Sequence, residues 1–78
     1  MNPWHVIQGL YESQINSGME SDWDGGGITA WIAAGGKRIT QRTFPPREFS
    51  EIAGWLDREA RRLFPDSWYA TAQVRLLM

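Results

Sequence analysis

The chain contains no cysteine. That removes disulfides, zinc–thiolate sites and cysteine nucleophiles together, so the fold must hold on packing alone. Histidine is nearly absent too: His5 is the only one. A histidine base needs an orienting partner and a nucleophile beside it, and Ser13 is the only candidate nearby. Hydrolytic chemistry has little raw material, and the expectation is a protein that is not an enzyme and carries no cofactor. No apolar run approaches the roughly 18 residues of a membrane span; the longest near-continuous stretch, Ile28 to Ala34, is strand-sized. The N-terminus has no basic segment ahead of an apolar one, the mark of a secretory signal. A soluble, cytoplasmic protein with no membrane partner is expected. Net charge is also small, −1 over 78 residues, which argues against nucleic-acid binding by bulk charge.

That small total hides a division. Residues 1–36 hold Glu12, Glu20, Asp22 and Asp24 and neither lysine nor arginine, whereas Lys37 and all seven arginines lie in the remainder. One acidic and one basic surface can therefore coexist. Aromatics are plentiful, with five tryptophans (Trp4, Trp23, Trp31, Trp55 and Trp68). Large aromatics help a small core, but a domain of 8.9 kDa has little room for five. At least one is expected on a binding surface. The length allows a single domain, residues 1–78.

Asn2-Pro3 is a helix start, with Asn as cap and Pro at the first helical position. Trp4, Ile7, Leu10 and Tyr11 follow at helical spacing, so a short helix is predicted from Pro3 to Glu12. Ile15 to Ser21 alternates loosely and reads as a strand, with Ile15, Ser17 and Met19 on one side. Asp24-Gly25-Gly26-Gly27 is a turn, Ile28 to Ala34 a second strand, and Gly35-Gly36-Lys37 a second turn. In the third strand, Arg38 to Phe44, Ile39 is the expected inward residue, and Arg38, Thr40 and Arg42 are expected to face solvent. Pro45-Pro46 closes the strand and opens a long amphipathic helix. Its apolar stripe is Phe49, Ile52, Ala53, Leu56, Ala60, Leu63 and Phe64, with Trp55 at its border. Glu48 and Glu51 near its start and Arg61 and Arg62 near its end suit the helix dipole, and Pro65 stops it. Asp66-Ser67 can cap a further helical turn. Ala70 to Leu76 alternates strictly, which favours a further strand, with a helix as the alternative.

The fold class is accordingly α+β: a short N-terminal helix, a three-stranded antiparallel sheet, and one long amphipathic helix covering a sheet face. The double-stranded RNA-binding domain has the same element order. Its usual lysine-rich helix start is missing, since Pro46-Arg47-Glu48-Phe49-Ser50-Glu51 carries two acids.

Two stretches could carry a function. Glu20, Asp22 and Asp24 recur at every second position around Trp23, so in an extended segment the three carboxylates share one face. A calcium loop begun at Asp22 would need Gly at its sixth place and Glu at its twelfth; those places hold Gly27 and Ala33. The bidentate ligand is missing, and no metal is expected. The remaining reading is an acidic partner-binding edge of Glu20, Asp22, Trp23 and Asp24. The second stretch is Lys37, Arg38 and Arg42, interleaved with Thr40, Gln41 and Phe44, the mixture with which nucleic-acid binders grip phosphates and stack bases. Gly25-Gly26-Gly27 is a turn rather than a phosphate loop, because no Lys-Ser/Thr follows it.

Leu10-Tyr11-Glu12-Ser13-Gln14-Ile15-Asn16, Trp23-Asp24-Gly25-Gly26, Trp55-Leu56 and Pro65-Asp66-Ser67-Trp68-Tyr69-Ala70 together form a recognisable series. In these motifs the chain resembles a family of small proteins of phages, prophages and their alphaproteobacterial hosts, over roughly residues 10 to 70. A phage-encoded protein of this size and appearance acts as an anti-CRISPR against the type I-C system. The resemblance implies a phage protein that works, without catalysis, in the cytoplasm of a bacterial host cell. It would bind subunits of the RNA-guided surveillance complex and block recruitment of target DNA. The alternative from the residues themselves is a phage accessory protein that binds nucleic acid directly through Lys37, Arg38 and Arg42. An exposed strand edge would also permit a homodimer.

Overall fold

A computed structural model describes residues 1–21 and 25–71. Among these the order is α1 (Pro3–Glu12), β1 (Asn16–Ser21), β2 (Ile28–Ala34), β3 (Lys37–Phe44), a 3-10 segment (Pro46–Glu51) and α2 (Ile52–Leu63). The α+β class is thus the observed one. No described helix is long and apolar enough to cross a membrane.

α1 begins where Asn2 Oδ1 accepts from the Trp4 amide at 2.8 Å, with Pro3 supplying a φ already suited to the helix. It ends on two reversed hydrogen bonds, Gln14 N–H to Tyr11 O (2.9 Å) and Ile15 N–H to Leu10 O (2.8 Å). That closure needs a left-handed residue, and Gln14 takes the role at φ 64°. Ile15 then drops into the core over Leu10, and β1 starts. Its residues pair antiparallel with β2 from Asn16↔Ala33 to Ser21↔Ile28. Gly35 and Gly36, both with positive φ, form the two-residue turn that brings Lys37 opposite Ala34. The sheet order is β1-β2-β3, with β2 central.

The register assigns the faces. Ser17, Ile32 and Thr40 lie side by side, as do Met19, Ala30 and Arg42, and then Ser21, Ile28 and Phe44. This face carries the helices. Val6 and Leu10 of α1 meet Ala30, Ile32 and Phe44 of the sheet and Ile52, Ala53, Leu56 and Ala60 of α2 in one core. Trp55 borders it, edge-on to Phe44 with ring centroids 5.8 Å apart.

Three expectations change. In β3, Ala33 pairs with Arg38 and Ile32 with Thr40, leaving Ile39 as an extra, bulged residue that is exposed rather than inward. The bulge turns Thr40 and Arg42 to the helix side: the Thr40 hydroxyl donates to Glu59 of α2 at 3.0 Å. The long helix opens as a 3-10 segment without a side-chain cap, with Glu48 off helical geometry at φ −106°. The tighter winding takes Phe49 off the α-helical stripe and leaves it exposed. In α1 the buried face is Pro3, Val6 and Leu10, while Trp4 and Tyr11 stand in solvent.

Beyond α2, Ser67 Oγ accepts from the Ala70 amide and starts a helical turn over residues 68–71. Tyr69 is buried by it. Ala70 and Thr71, the start of the predicted terminal strand, are helical; the rest of that segment lies outside the described residues.

Candidate functional site

The sheet face away from the helices is uncovered by any described element, and its centre is Trp31. Gly18 of β1 lies opposite it and makes room for the ring: a Cβ on Gly18 would fall 2.6 Å from Trp31 Cζ2. Arg38 crosses the indole with its guanidinium 4.8 Å from the ring centroid. The same guanidinium donates to Glu20 at 2.8 Å and, at 3.4 Å, to Gln41. The Arg38 hydrogen bond, helped by its charge, holds the Glu20 carboxyl below its ordinary range. Thr29 and Thr43 complete the face, with hydroxyls 2.8 Å apart.

This arrangement separates the residues that the sequence grouped. Arg38 lies over Trp31 on the open face, whereas Arg42 lies over Phe44, 4.8 Å from its centroid, on the helix side. Lys37 sits exposed at the start of β3. Arg38 and Arg42 therefore share no face, and the charge of Arg38 is balanced by Glu20. Of the acidic edge, Glu20 is described, with its side chain 53% exposed on the open face. Asp22, Trp23 and Asp24 lie outside the described residues, in the connection between β1 and β2. His5 is exposed on α1, and among the described residues no group of three acids, histidines or cysteines is placed to hold a metal.

A second surface was not foreseen from the sequence. At the end of the sheet where β1 leaves for β2, Trp4 and Phe49 flank a hollow closed by Met19, Glu20, Ser21 and Ile28. Met1 and Ser50 extend it outward. Met1, Trp4 and Phe49 are respectively 81, 59 and 41% exposed. The hollow itself measures about 120 Å³, room for one side chain of a macromolecule, and opens into a wider concavity of about 570 Å³ outside it. Helical periodicity gave no hint of this patch, because Trp4 and Phe49 each fit an apolar stripe and read as core.

Among the described residues, fold and surface together define a small two-layer α+β protein with an uncovered sheet face and an exposed aromatic end. No protein-family model matches the chain, and no curated protein or solved structure is significantly similar to it.

Proposed function

We propose that this protein is a non-enzymatic, phage-encoded anti-CRISPR that binds the type I-C surveillance complex in the host cytoplasm and blocks recruitment of target DNA. The motif series from Leu10 to Ala70 supports the class of function. The observation that carries a binding role is the exposed Met1, Trp4 and Phe49 patch beside Glu20. Exposed aromatics at a polar rim are the composition of a protein contact. The chain continues from this end into Asp22, Trp23 and Asp24. The carboxylates of Asp22 and Asp24 offer a basic DNA channel the same sign of charge as a phosphate backbone, with association that weakens as salt rises. Direct nucleic-acid binding is the less favoured reading, because Arg38 and Arg42 act on opposite faces.

A mobility-shift assay tests the proposal. Purified type I-C surveillance complex meets labelled target duplex with and without this protein, beside duplex alone. Loss of the complex–DNA band with no shift of free duplex is the expected result. An unchanged band rules out inhibition at this step, and a direct shift of the duplex transfers the proposal to nucleic-acid binding. Asp22→Lys/Asp24→Lys should weaken binding to the complex at least tenfold, about 1.4 kcal/mol. Unchanged affinity in that double variant removes the acidic edge from the interface.

A further inference from the structure

The two edges of the sheet are built differently. The β3 edge carries Lys37, Arg38 and Arg42 and is broken by the bulge at Ile39, the devices by which edge strands avoid pairing. The β1 edge has neither. Asn16-Ser17-Gly18-Met19-Glu20-Ser21 pairs with β2 without a register shift, and its one charge, Glu20, is engaged by Arg38. Among the described residues no strand pairs with this edge, and one flank of α1 runs along it. Tyr11 shares a hollow with Ile15 and Asn16 at the start of β1, and Trp4 shares one with Met19 and Ser21 at its end. Trp4 and Tyr11 are two turns apart on the same side of the helix, 59 and 76% exposed, with the half-buried Ile7 between them.

We infer that this edge pairs with a second copy of the chain, β1 against β1 in antiparallel register about a two-fold axis, to give a continuous six-stranded sheet. The strand edge can pair with itself without setting like charges opposite one another. Residues opposite one another in such a pair must point to the same side of the sheet, so the axis passes through a residue, and the registers that pair most of Asn16–Ser21 put it at Gly18 or Met19. Glu20 then faces Asn16 or Gly18 of the second copy and never another Glu20. The same axis lays the two α1 helices antiparallel, bringing Tyr11 of one copy to Trp4 of the other. It also resolves a local misfit. Glu12 stands at the C-terminal end of α1, where its own helix dipole disfavours an acid, and no basic residue accompanies it. In the pair it meets the N-terminal, positive end of the other helix.

The area is adequate. At the stated exposures, two Trp4 and two Tyr11 side chains bring on the order of 500 Å². Two paired six-residue strands raise the total toward the roughly 1,000 Å² of a specific interface. The Ser21 ends of the two β1 strands fall at opposite corners, so the pairing covers Trp4 and leaves Met1 and Phe49 of each aromatic end exposed for the contact proposed above.

Sedimentation equilibrium of the full chain from about 10 to about 300 μM provides the test, since dimer content follows mass action. The expected species has twice the 8.9 kDa chain mass. Tyr11→Lys should weaken dimerisation at least tenfold, whereas Ile39→Lys, on the bulged opposite edge, should leave it unchanged. Circular dichroism checks that each variant folds, and Trp4→Lys replaces Tyr11→Lys if it does not. Hydrogen exchange adds an independent readout: the β1 amides turned away from β2 should be slow in the dimer and fast on dilution. A mass of one chain throughout, an undisturbed dimer in both α1 variants, or dissociation by Ile39→Lys alone would overturn the inference.

Discussion

Tyr69→Phe removes a single oxygen from the best-connected side chain outside the regular elements. The Tyr69 hydroxyl donates to Asp57 Oδ1 at 2.6 Å, and the ring is 2% exposed. Arg61 donates through Nε to both Asp57 oxygens at 3.2 and 3.1 Å, places its guanidinium 5.4 Å from the Tyr69 centroid, and reaches Ala70 O at 3.2 Å. Asp57 and Arg61 belong to α2, so this group ties the turn at residues 68–71 back onto the helix. A hydrogen bond to a charged group contributes roughly 1.5–3 kcal/mol. Because Asp57 keeps both bonds from Arg61, the lower end applies, about 1.5 kcal/mol. For a domain of this size that is a fall of roughly 6–12 °C in Tm. Tyr69→Ala adds the loss of a buried aromatic, about 3–5 kcal/mol. The whole chain is expected to be worth about 4–12 kcal/mol, so the alanine variant should be largely unfolded. Urea denaturation followed by circular dichroism measures both. A double-mutant cycle with Asp57→Ala separates the hydrogen bond from the ring, with a coupling above about 0.5 kcal/mol expected. Tyr69→Phe within about 0.3 kcal/mol of the parent, with no coupling to Asp57, would refute the reasoning.

Two further outcomes rest on the described side chains. Glu59 accepts from Arg62 at 2.9 and 3.0 Å and from Thr40 at 3.0 Å, and the Arg62 bond foremost holds its carboxyl below the ordinary value of 4.5. A carboxyl depressed on folding stabilises the native state above its unfolded value, and that stabilisation is lost as pH falls through the folded one. The urea midpoint should therefore drop in acid below about pH 4.5, and Glu59→Gln should flatten the drop. An unchanged acid limb in that variant would show the pairs to be inactive. Gly18→Ala opposes two effects: less freedom in the unfolded chain favours alanine by roughly 0.4–1 kcal/mol, while overpacking against Trp31 costs about 1–3. At 2.6 Å the collision wins, so a net loss near 1 kcal/mol is expected, with a shifted Trp31 indole NH resonance. An alanine variant as stable as the parent would mean that the ring does not lie over Gly18.

The local pattern of this sequence determined most of its elements. Asn2-Pro3, Gly35-Gly36 and Pro65 act over one or two residues through capping, positive φ and a missing donor, so α1 and β2 have the predicted bounds and β3 begins one residue earlier. The α2 stripe Ile52, Ala53, Leu56 and Ala60 was legible because its period persists for three turns. Where one apolar residue had to be assigned to a face, the tertiary structure decided. Ile39 is exposed because a bulge changes the alternation beside it, and a bulge depends on pairing with β2 rather than on β3 alone. Trp4 and Phe49 obey helical spacing and still stand in solvent, because α1 turns Val6 and Leu10 to the core and the 3-10 segment winds too tightly to keep Phe49 in line. Lys37, Arg38 and Arg42 are neighbours in sequence, yet Arg38 and Arg42 act on opposite faces. What a cation sees depends on which ring and which carboxylate the sheet brings beneath it, and Glu20 reaches Arg38 only across the assembled strands.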